Sequence, residues 1–151
     1  MKLHLATFAL LLAAPAAFAQ DMTVTPAESR AAQLGSSEFF TGTALVAPVF
    51  GPDMGDVSAG EVTFLPGARA AWHTHPAGQK LIVTAGSGWV QERGQEKQLI
   101  QAGDVVWCPP GVEHWHGATA TTSMTHLAIQ QTVDGSAVTW SEHVTDAEYA
   151  E

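Results

Sequence analysis

The stretch that decides the fold is residues 66–86, PGARAAWHTHPAGQKLIVTAG, which sets two histidines two positions apart between glycine- and proline-containing turns. Side chains at positions i and i+2 of a β-strand point to the same face, so the imidazoles of His73 and His75 can reach one point. The same spacing recurs at His114 and His116. The sequence therefore predicts two strands that each direct a pair of imidazoles to one side.

A fifth histidine, His126, lies in a third apolar segment. There Met124, His126, Ala128 and Gln130 share one face of the predicted strand. Imidazoles crowded into one cavity cannot all be protonated, so a bound metal ion explains them economically. The alternative is that these are surface histidines or hydrogen-bonded core histidines. Two H-x-H pairs on separate strands favour a metal site over this alternative.

Short apolar and β-branched segments recur through most of the chain, separated by glycine, proline and aspartate. This pattern is typical of an all-β sandwich or barrel. Gly86-Ser87-Gly88 is interpreted as a turn between strands at 81–85 and 89–91. Near the C-terminus, Ser141 is predicted to cap a short helix over 142–149.

The start of the chain has the composition of an export signal. An apolar run is followed by an alanine-rich stretch that ends in Ala17-Phe18-Ala19, which matches a signal-peptidase site. We therefore expect a signal peptide at 1–19, cleavage after Ala19, and export to a bacterial periplasm. A buried N-terminal helix is the alternative, but such a helix would show polar residues at a 3.6-residue period.

The rest of the chain is interpreted as an N-terminal arm at 20–36, extended or briefly helical, and one folded domain at 37–151. The sequence has 15 acidic and 6 basic side chains, a formal charge of −9. Nucleic acids and anionic membranes bind basic surfaces, so we expect neither as a partner. The single cysteine, Cys108, excludes an intrachain disulfide and is interpreted as a packed free thiol.

Glycines frame both histidine pairs at fixed distances. The first pattern, G-x5-H-x-H-x3-Q-x6-G, consists of Gly67, His73, His75, Gln79 and Gly86. The second pattern, G-x5-P-x-G-x2-H, consists of Gly103, Pro109, Gly111 and His114. Together they resemble the two motifs of the cupin superfamily, which implies a single jelly-roll β-barrel. By this resemblance the metal ligands are His73, His75, Gln79 and His114.

The chain departs from the general cupin pattern at two positions. Gln79 stands where most cupins have Glu, and Ala118 stands where the second motif usually ends in Asn. A neutral amide leaves the full charge of a divalent cation uncompensated, which favours binding of a hydroxyl, an alkoxide or an anion. Mn²⁺ is the metal that we expect, with Fe²⁺ or Zn²⁺ as alternatives, and the residues alone do not choose.

The stretch from Phe39 to Tyr149 resembles a narrower group, the bacterial cupin-type hydroxynitrile lyases that act on (R)-mandelonitrile. The segments that carry this resemblance are 40–43, 66–69, 71–76, 81–86, 103–107, 114–118, 124–130 and 142–146. Gln79 and Ala118 match the pattern of this group. The resemblance implies a small manganese cupin that binds a small-molecule substrate and assembles as a homo-oligomer, a dimer or a tetramer.

The implied reaction splits a cyanohydrin into an aldehyde and hydrogen cyanide. A metal lowers the pKa of a hydroxyl near it, and a neutral histidine, His126 or His116, would accept the proton. Gln130 would orient His126 or the substrate. Gly60 and Val62 share one face of an adjoining strand and would size the pocket, with Gly60 leaving room for an aryl group. His116 and Gln130 each have a purely structural alternative as hydrogen-bonding groups.

Two other functions stay open from the sequence. The same ligands with a redox-active metal would suit a cupin dioxygenase or another oxidative carbon–carbon cleaving enzyme. A non-catalytic periplasmic cupin that binds a small molecule would also need a metal site. Histidines beyond the ligand set weigh against a simple binder, because such a protein has no use for proton-transfer groups.

Tryptophans alternate with the predicted ligands. Trp72 precedes His73, and Trp115 lies between His114 and His116. The two-residue period of a strand directs both indoles away from the metal. We therefore expect them to pack against another sheet or a partner subunit.

Overall fold

The computed structural model describes residues 21–150, so the predicted signal peptide and its cleavage site lie outside the described residues. Within these residues, twelve strands make up the fold. They are β1 Gln33–Leu34, β2 Phe40–Thr41, β3 Ala44–Phe50, β4 Val57–Phe64, β5 Arg69–Ala70, β6 His73–Thr74, β7 Gln79–Glu92, β8 Gln98–Gln101, β9 Val105–Cys108, β10 His114–Ala118, β11 Met124–Gln131 and β12 Thr139–Trp140. One α-helix, α1, spans Asp146–Ala150, and short 3₁₀ turns lie at Ala27–Ser29 and Pro52–Met54.

The strands pair in the order β1-β3-β4-β11-β7-β10-β5-β2, and neighbouring strands are antiparallel. Strands β8 and β9 add to β7, while β6 pairs with β10 and β12. The sheet curls into two facing halves, which enclose the core. The expected all-β jelly-roll barrel with a short C-terminal helix is confirmed. Within 21–150, none of the helices has the length and apolar character needed to cross a membrane.

Strand β7 joins the two halves of the barrel. Residues 79–86 pair with β11, and residues 88–92 pair with β10. The predicted turn at Gly86-Ser87-Gly88 is therefore wrong, because the chain continues through it as one strand of 14 residues. A Cβ at Gly86 would lie 1.9 Å from the Ser123 carbonyl oxygen, so glycine here permits close packing within a strand.

The core lies between the two halves, and the alternation along β11 shows how it is built. Met124, His126 and Ala128 are buried, whereas Thr125 and Leu127 between them are partly exposed. This confirms the face predicted for the third histidine segment. The inward residues of the barrel thus include imidazoles as well as aliphatic side chains.

The expected helix at 142–149 begins four residues later than predicted. Thr145 is its cap, because the Glu148 N–H donates to Thr145 Oγ1 (3.2 Å) and the Thr145 N–H donates to Glu148 Oε2 (2.8 Å). These reciprocal bonds are a capping box, T-x-x-E. Ser141 has another role, since its N–H donates to the Trp72 carbonyl oxygen at 2.8 Å. The predicted cap at Ser141 is therefore wrong, because the helix begins only at Asp146.

Replacing Gly86 with alanine is expected to destabilise the fold more than replacing Gly94. Both glycines have a positive φ, +69° and +80°, but an added Cβ at Gly94 meets nothing within 4 Å. Gly94→Ala should therefore cost only the backbone strain, about 1 kcal/mol. Gly86→Ala should cost roughly 2 kcal/mol more because of overpacking against Ser123. Urea unfolding followed by tryptophan fluorescence measures both, and equal losses would contradict the close-packing argument.

Candidate metal centre

The structure brings the five histidines of the three predicted strand segments together in the barrel interior. They are His73, His75, His114, His116 and His126, and each is at most 4% exposed. Strand β6 places His73 directly opposite His114 of β10, with ring centroids 4.4 Å apart. His75 directly follows β6, and its ring centroid lies 5.1 Å from that of His73. The two H-x-H pairs thus meet at one point, as their spacing predicts.

Backbone carbonyls fix the tautomer of His73, His75 and His114. The acceptors for their Nδ1 atoms are the carbonyl oxygens of Ala71 at 2.8 Å, Ala137 at 2.7 Å and Val112 at 3.0 Å. A carbonyl oxygen only accepts hydrogen bonds, so each Nδ1 carries the proton. In the neutral imidazole, Nε2 then presents a lone pair. This is the orientation that metal-binding histidines usually have.

Burial keeps these imidazoles neutral. It lowers the pKa of His75 to about 4 and holds the pKa of His73 well below its ordinary value, with neighbouring His114 adding to the effect. The pKa of His114 is lowered for the same main reason, burial. Around neutral pH, the Nε2 lone pairs of all three are therefore free to bind a cation.

Gln79 supplies a fourth donor atom beside these lone pairs. Its Oε1 lies 3.2 Å from Nε2 of His114, and neither atom has a hydrogen to share in the tautomer fixed by Val112. Two acceptors at this distance repel each other unless a cation lies near both. His75 Nε2 is also buried with no hydrogen-bond partner in the described part of the chain. The donor set of three imidazoles and one amide fits a divalent metal.

A chain of amide and hydroxyl groups orients Gln79. Its Nε2 donates to Gln130 Oε1 at 3.4 Å, and Gln130 Nε2 donates to Ser58 Oγ at 3.2 Å. These bonds direct the amide nitrogen of Gln79 away from His114 and its oxygen towards it. Gln130, predicted to orient His126 or the substrate, contacts Gln79 in the structure.

Within residues 21–150, a group of three histidine nitrogens close enough to hold a metal ion includes His116 and not His75. One nitrogen each from His73, His114 and His116 lies within 4.8 Å of the others. However, Nδ1 of His116 is engaged with Nε2 of His126 at 3.1 Å, so no carbonyl fixes its tautomer. We favour His75 as the ligand because its Nδ1–H is fixed and its Nε2 is free. The ligand assignment itself stays a prediction.

An apolar cavity of about 180 Å³ opens beside the donor atoms. Its polar wall includes His73, His75, Gln79, His116 and Gln130. Its apolar wall includes Phe40, Val46, Val62, Ala128, Val138 and Trp140, together with Gly60. The structure thus places Gly60 and Val62 in the cavity wall. Among the described residues, His116 lines the cavity and His126 lies behind it.

Sequence reasoning missed part of this site. Trp140 lines the cavity, its ring centroid is 4.8 Å from that of His73, and it stacks on Phe39 at 4.8 Å. Its position in β12 opposite His73 could have been found only by predicting that two-residue pairing. Ala137 acts through its carbonyl, and every residue has a carbonyl. No side-chain pattern could have indicated it.

The fold and this cluster of histidines define a cupin, and the comparisons agree. The chain belongs to the cupin family, whose Cupin domain matches residues 60–130. It is 55% identical over 129 residues to a Granulicella tundricola protein named (R)-mandelonitrile lyase, which covers 85% of this chain and 98% of that protein. The resemblance drawn from the motifs is therefore confirmed.

Two other relatives are less similar to the chain in sequence. The crystal structure of a cupin-like protein from Thermotoga maritima has a TM-score of 0.74 and 43% identity, covering 77% of this chain and 89% of that one. Acireductone dioxygenase from Trichormus variabilis is 39% identical over 70 residues, which covers 44% of this chain and 38% of that enzyme. The second likeness is confined to a segment.

Loss of metal is expected when a ligand is removed. His73→Ala, His75→Ala and His114→Ala should each reduce bound metal to a small fraction of the wild-type amount, because each leaves an incomplete donor set. His116→Ala should retain it. Metal content of purified protein, by inductively coupled plasma mass spectrometry, measures this, with exposed His143→Ala as the control. Retention in His75→Ala with loss in His116→Ala would replace His75 by His116 in the ligand set.

The metal-free protein is expected to lose stability in acid. Burial lowers the pKa of His126 from 6.5 to about 4, so the unfolded chain binds more protons than the folded one between these values. Stability therefore falls as the pH falls through this window. His126 alone should account for about 2 kcal/mol between pH 8 and pH 5. Urea unfolding at both values tests this, and His126→Gln should reduce the difference whereas His143→Gln should not.

Proposed function

We propose that this protein is a metal-dependent lyase that cleaves cyanohydrins of the mandelonitrile type into an aldehyde and hydrogen cyanide. The similarity to a protein named (R)-mandelonitrile lyase over 85% of this chain and 98% of that protein supports it. The observation that carries it is a buried histidine pair beside an apolar cavity. His116 lines that cavity, and its Nδ1 contacts Nε2 of His126 at 3.1 Å.

The metal would be held by His73, His75, Gln79 and His114. A divalent ion, for which we favour Mn²⁺, supplies positive charge that lowers the pKa of a nearby hydroxyl. Because Gln79 is neutral, the ligand set does not cancel any of that charge. The site thus favours a substrate whose oxygen becomes anionic during the reaction.

His116 is the base in this proposal, and His126 sets its tautomer. When Nδ1–H of His116 donates to Nε2 of His126, Nε2 of His116 presents a lone pair. His116 Nε2 is buried and has no hydrogen-bond partner within residues 21–150. It is therefore free to accept a proton from a substrate hydroxyl in the cavity.

The proton passes from the substrate hydroxyl to His116 and then to cyanide. His116 Nε2 takes the hydroxyl proton, the O–H electron pair forms the carbonyl, and the carbon–carbon bond to the nitrile breaks with its pair on cyanide. The imidazolium then returns the proton to cyanide and hydrogen cyanide leaves. Burial holds the pKa of His116 well below its ordinary value, which favours the return of the proton to cyanide.

The apolar end of the cavity suits an aryl group. Phe40 and Trp140 offer ring faces and edges, and their centroids lie 5.9 Å apart. Gly60 presents no side chain, and an added Cβ there would meet only the Ala47 carbonyl oxygen at 3.8 Å. A phenyl ring at this end would leave its hydroxyl and nitrile towards the histidines.

A dioxygenase is the second candidate. The segmental likeness to acireductone dioxygenase favours it, since the donor set would also suit a redox-active metal. The two functions differ in one requirement. The lyase consumes no oxygen, whereas the dioxygenase consumes one molecule of oxygen for each turnover.

The purified protein with its metal is expected to release benzaldehyde from (R)-mandelonitrile without oxygen. His116→Ala should lose turnover by about 10²–10⁴-fold because the base is gone, and His126→Ala should lose nearly as much while both retain metal. His126→Gln should recover part of the activity, since its amide oxygen can accept the Nδ1–H. Anaerobic benzaldehyde absorbance, with His143→Ala as the control, measures this.

Undiminished cleavage by His116→Ala with full metal content would remove His116 as the base. No benzaldehyde release by the wild type, together with metal-dependent oxygen uptake on other substrates, would favour the dioxygenase.

A further inference from the structure

A second cavity, of about 450 Å³, borders the histidine cluster. Strands β7, β8, β9 and β10 supply residues to its wall, and we refer to it as the β9 cavity. Its polar side chains include Glu92, Gln98, Asp104, Cys108 and His114. Among the described residues, none that lines the β9 cavity also lines the apolar cavity of the candidate metal centre. The two cavities therefore have separate walls.

The predicted ligand set borders both cavities. His114 lines the β9 cavity, Gln79 lines the apolar cavity, and Nε2 of His114 lies 3.2 Å from Oε1 of Gln79. Both atoms are acceptors, so their contact favours a cation near the two. Either cavity could be the path by which that cation arrives. The chemistry of the two walls decides between them.

The apolar cavity is a poor path for a divalent ion. Among the described residues that line it, none has a carboxylate, and its imidazoles are kept neutral by burial. A hydrated ion that passed Phe40, Val46 and Trp140 would lose water without gaining a ligand in its place. The cost of taking a charge out of water opposes such a passage. This cavity suits an uncharged molecule instead.

The β9 cavity has the opposite character. Two carboxylates, Glu92 and Asp104, line it, and none of the described residues in its wall is a lysine or an arginine. Asp104 Oδ2 accepts the Gln101 N–H at 2.8 Å, which fixes this carboxylate in the turn before β9. A cleft lined by charges of one sign concentrates ions of the opposite sign. The formal charge of −9 on the whole chain adds to this attraction for cations.

Glu92 connects the charge of the β9 cavity to the ligand set. It lies directly opposite His114 in the register of β7 and β10. Directly opposite side chains of an antiparallel pair lie on one face of the sheet, with Cβ atoms about 4.5–5.5 Å apart. The Glu92 side chain is exposed, unlike that of His114, and it forms no salt bridge within the described residues. Its carboxylate can therefore bind an ion that arrives from solvent.

We propose that the β9 cavity admits the divalent cation to the metal centre and that Glu92 captures the hydrated ion on the way. A carboxylate oxygen replaces water readily around such ions. Glu92 takes the ion from solvent, and His114, its neighbour across the sheet, receives it together with Gln79. Cation and substrate then enter through different walls of the barrel. This role of Glu92 depends on the metal centre and not on the reaction that the centre performs.

Uptake of Co²⁺ by the metal-free protein tests this path. Stopped-flow tryptophan fluorescence follows it, because the Trp140 ring lies 4.8 Å from that of His73 and bound Co²⁺ quenches an indole so near. Glu92→Gln should lower the association rate constant roughly tenfold at low ionic strength, and Asp104→Asn roughly threefold. Both effects should shrink as salt is added. The amount of Co²⁺ bound at saturation should stay at the wild-type value, since no ligand is removed.

Two variants serve as controls. Glu96→Gln makes the same charge change at an exposed position in the turn between β7 and β8, outside the walls of both cavities. Gly60→Leu narrows the apolar cavity, and an added Cβ there meets only the Ala47 carbonyl oxygen at 3.8 Å. Each should leave the association rate constant within about twofold of the wild-type value. Circular dichroism of every metal-free variant shows that the fold is retained.

Uptake at the wild-type rate by Glu92→Gln, or equal slowing in Glu92→Gln and Glu96→Gln, would overturn the proposal. Slow uptake by Gly60→Leu alone would overturn it as well and would assign entry to the apolar cavity. A wild-type protein that binds no Co²⁺ would overturn both the metal centre and its path. Absence of benzaldehyde release from a protein with the expected Co²⁺ uptake would contradict the lyase reaction and still support the role of Glu92.

Discussion

The structure depends on keeping several imidazoles neutral and oriented inside one barrel. Three backbone carbonyls achieve the orientation, since each takes the Nδ1–H of one histidine and leaves its Nε2 lone pair facing the interior. Burial achieves the neutrality by disfavouring the protonated form. Without the carbonyls the rings would be free to turn, and without the burial they would repel both each other and a cation. The fold supplies both conditions at once.

The second histidine pair extends this arrangement from binding to chemistry. Within residues 21–150, the partner of His116 Nδ1 is a second imidazole, Nε2 of His126, and not a backbone carbonyl. When Nδ1–H of His116 donates to it, Nε2 of His116 keeps the lone pair that a base needs. The position of His126 behind His116 also separates two roles that the sequence left interchangeable, since His116 lines the cavity and His126 is hydrogen-bonded to Nδ1 of His116.

The parts of the molecule that follow from side-chain periodicity could be predicted from the sequence. Strand alternation correctly set five histidines inward and two tryptophans outward, because it depends only on local geometry. The parts that depend on close backbone approach could not. In the sequence, Gly86 fits a turn as well as it fits a crowded strand, because only the fold places Ser123 beside it. The Ala137 carbonyl that orients His75 has no residue-specific signal. The helix start differs in this respect, because the T-x-x-E pattern at Thr145 is a local signal that the sequence contains.

The continuity of β7 has a consequence for how the molecule comes apart. The strand begins at Gln79, whose amide faces His114, and ends at Glu92, which pairs in register with that same histidine. Both ends of one strand therefore meet at the donor atoms after crossing the two halves of the barrel. Separating the halves would pull Gln79 and His114 apart, so an ion bound to both would stabilise the contact between the two halves of the barrel. Metal release is then expected to lower the free energy of unfolding of the whole barrel and not only the order of the site.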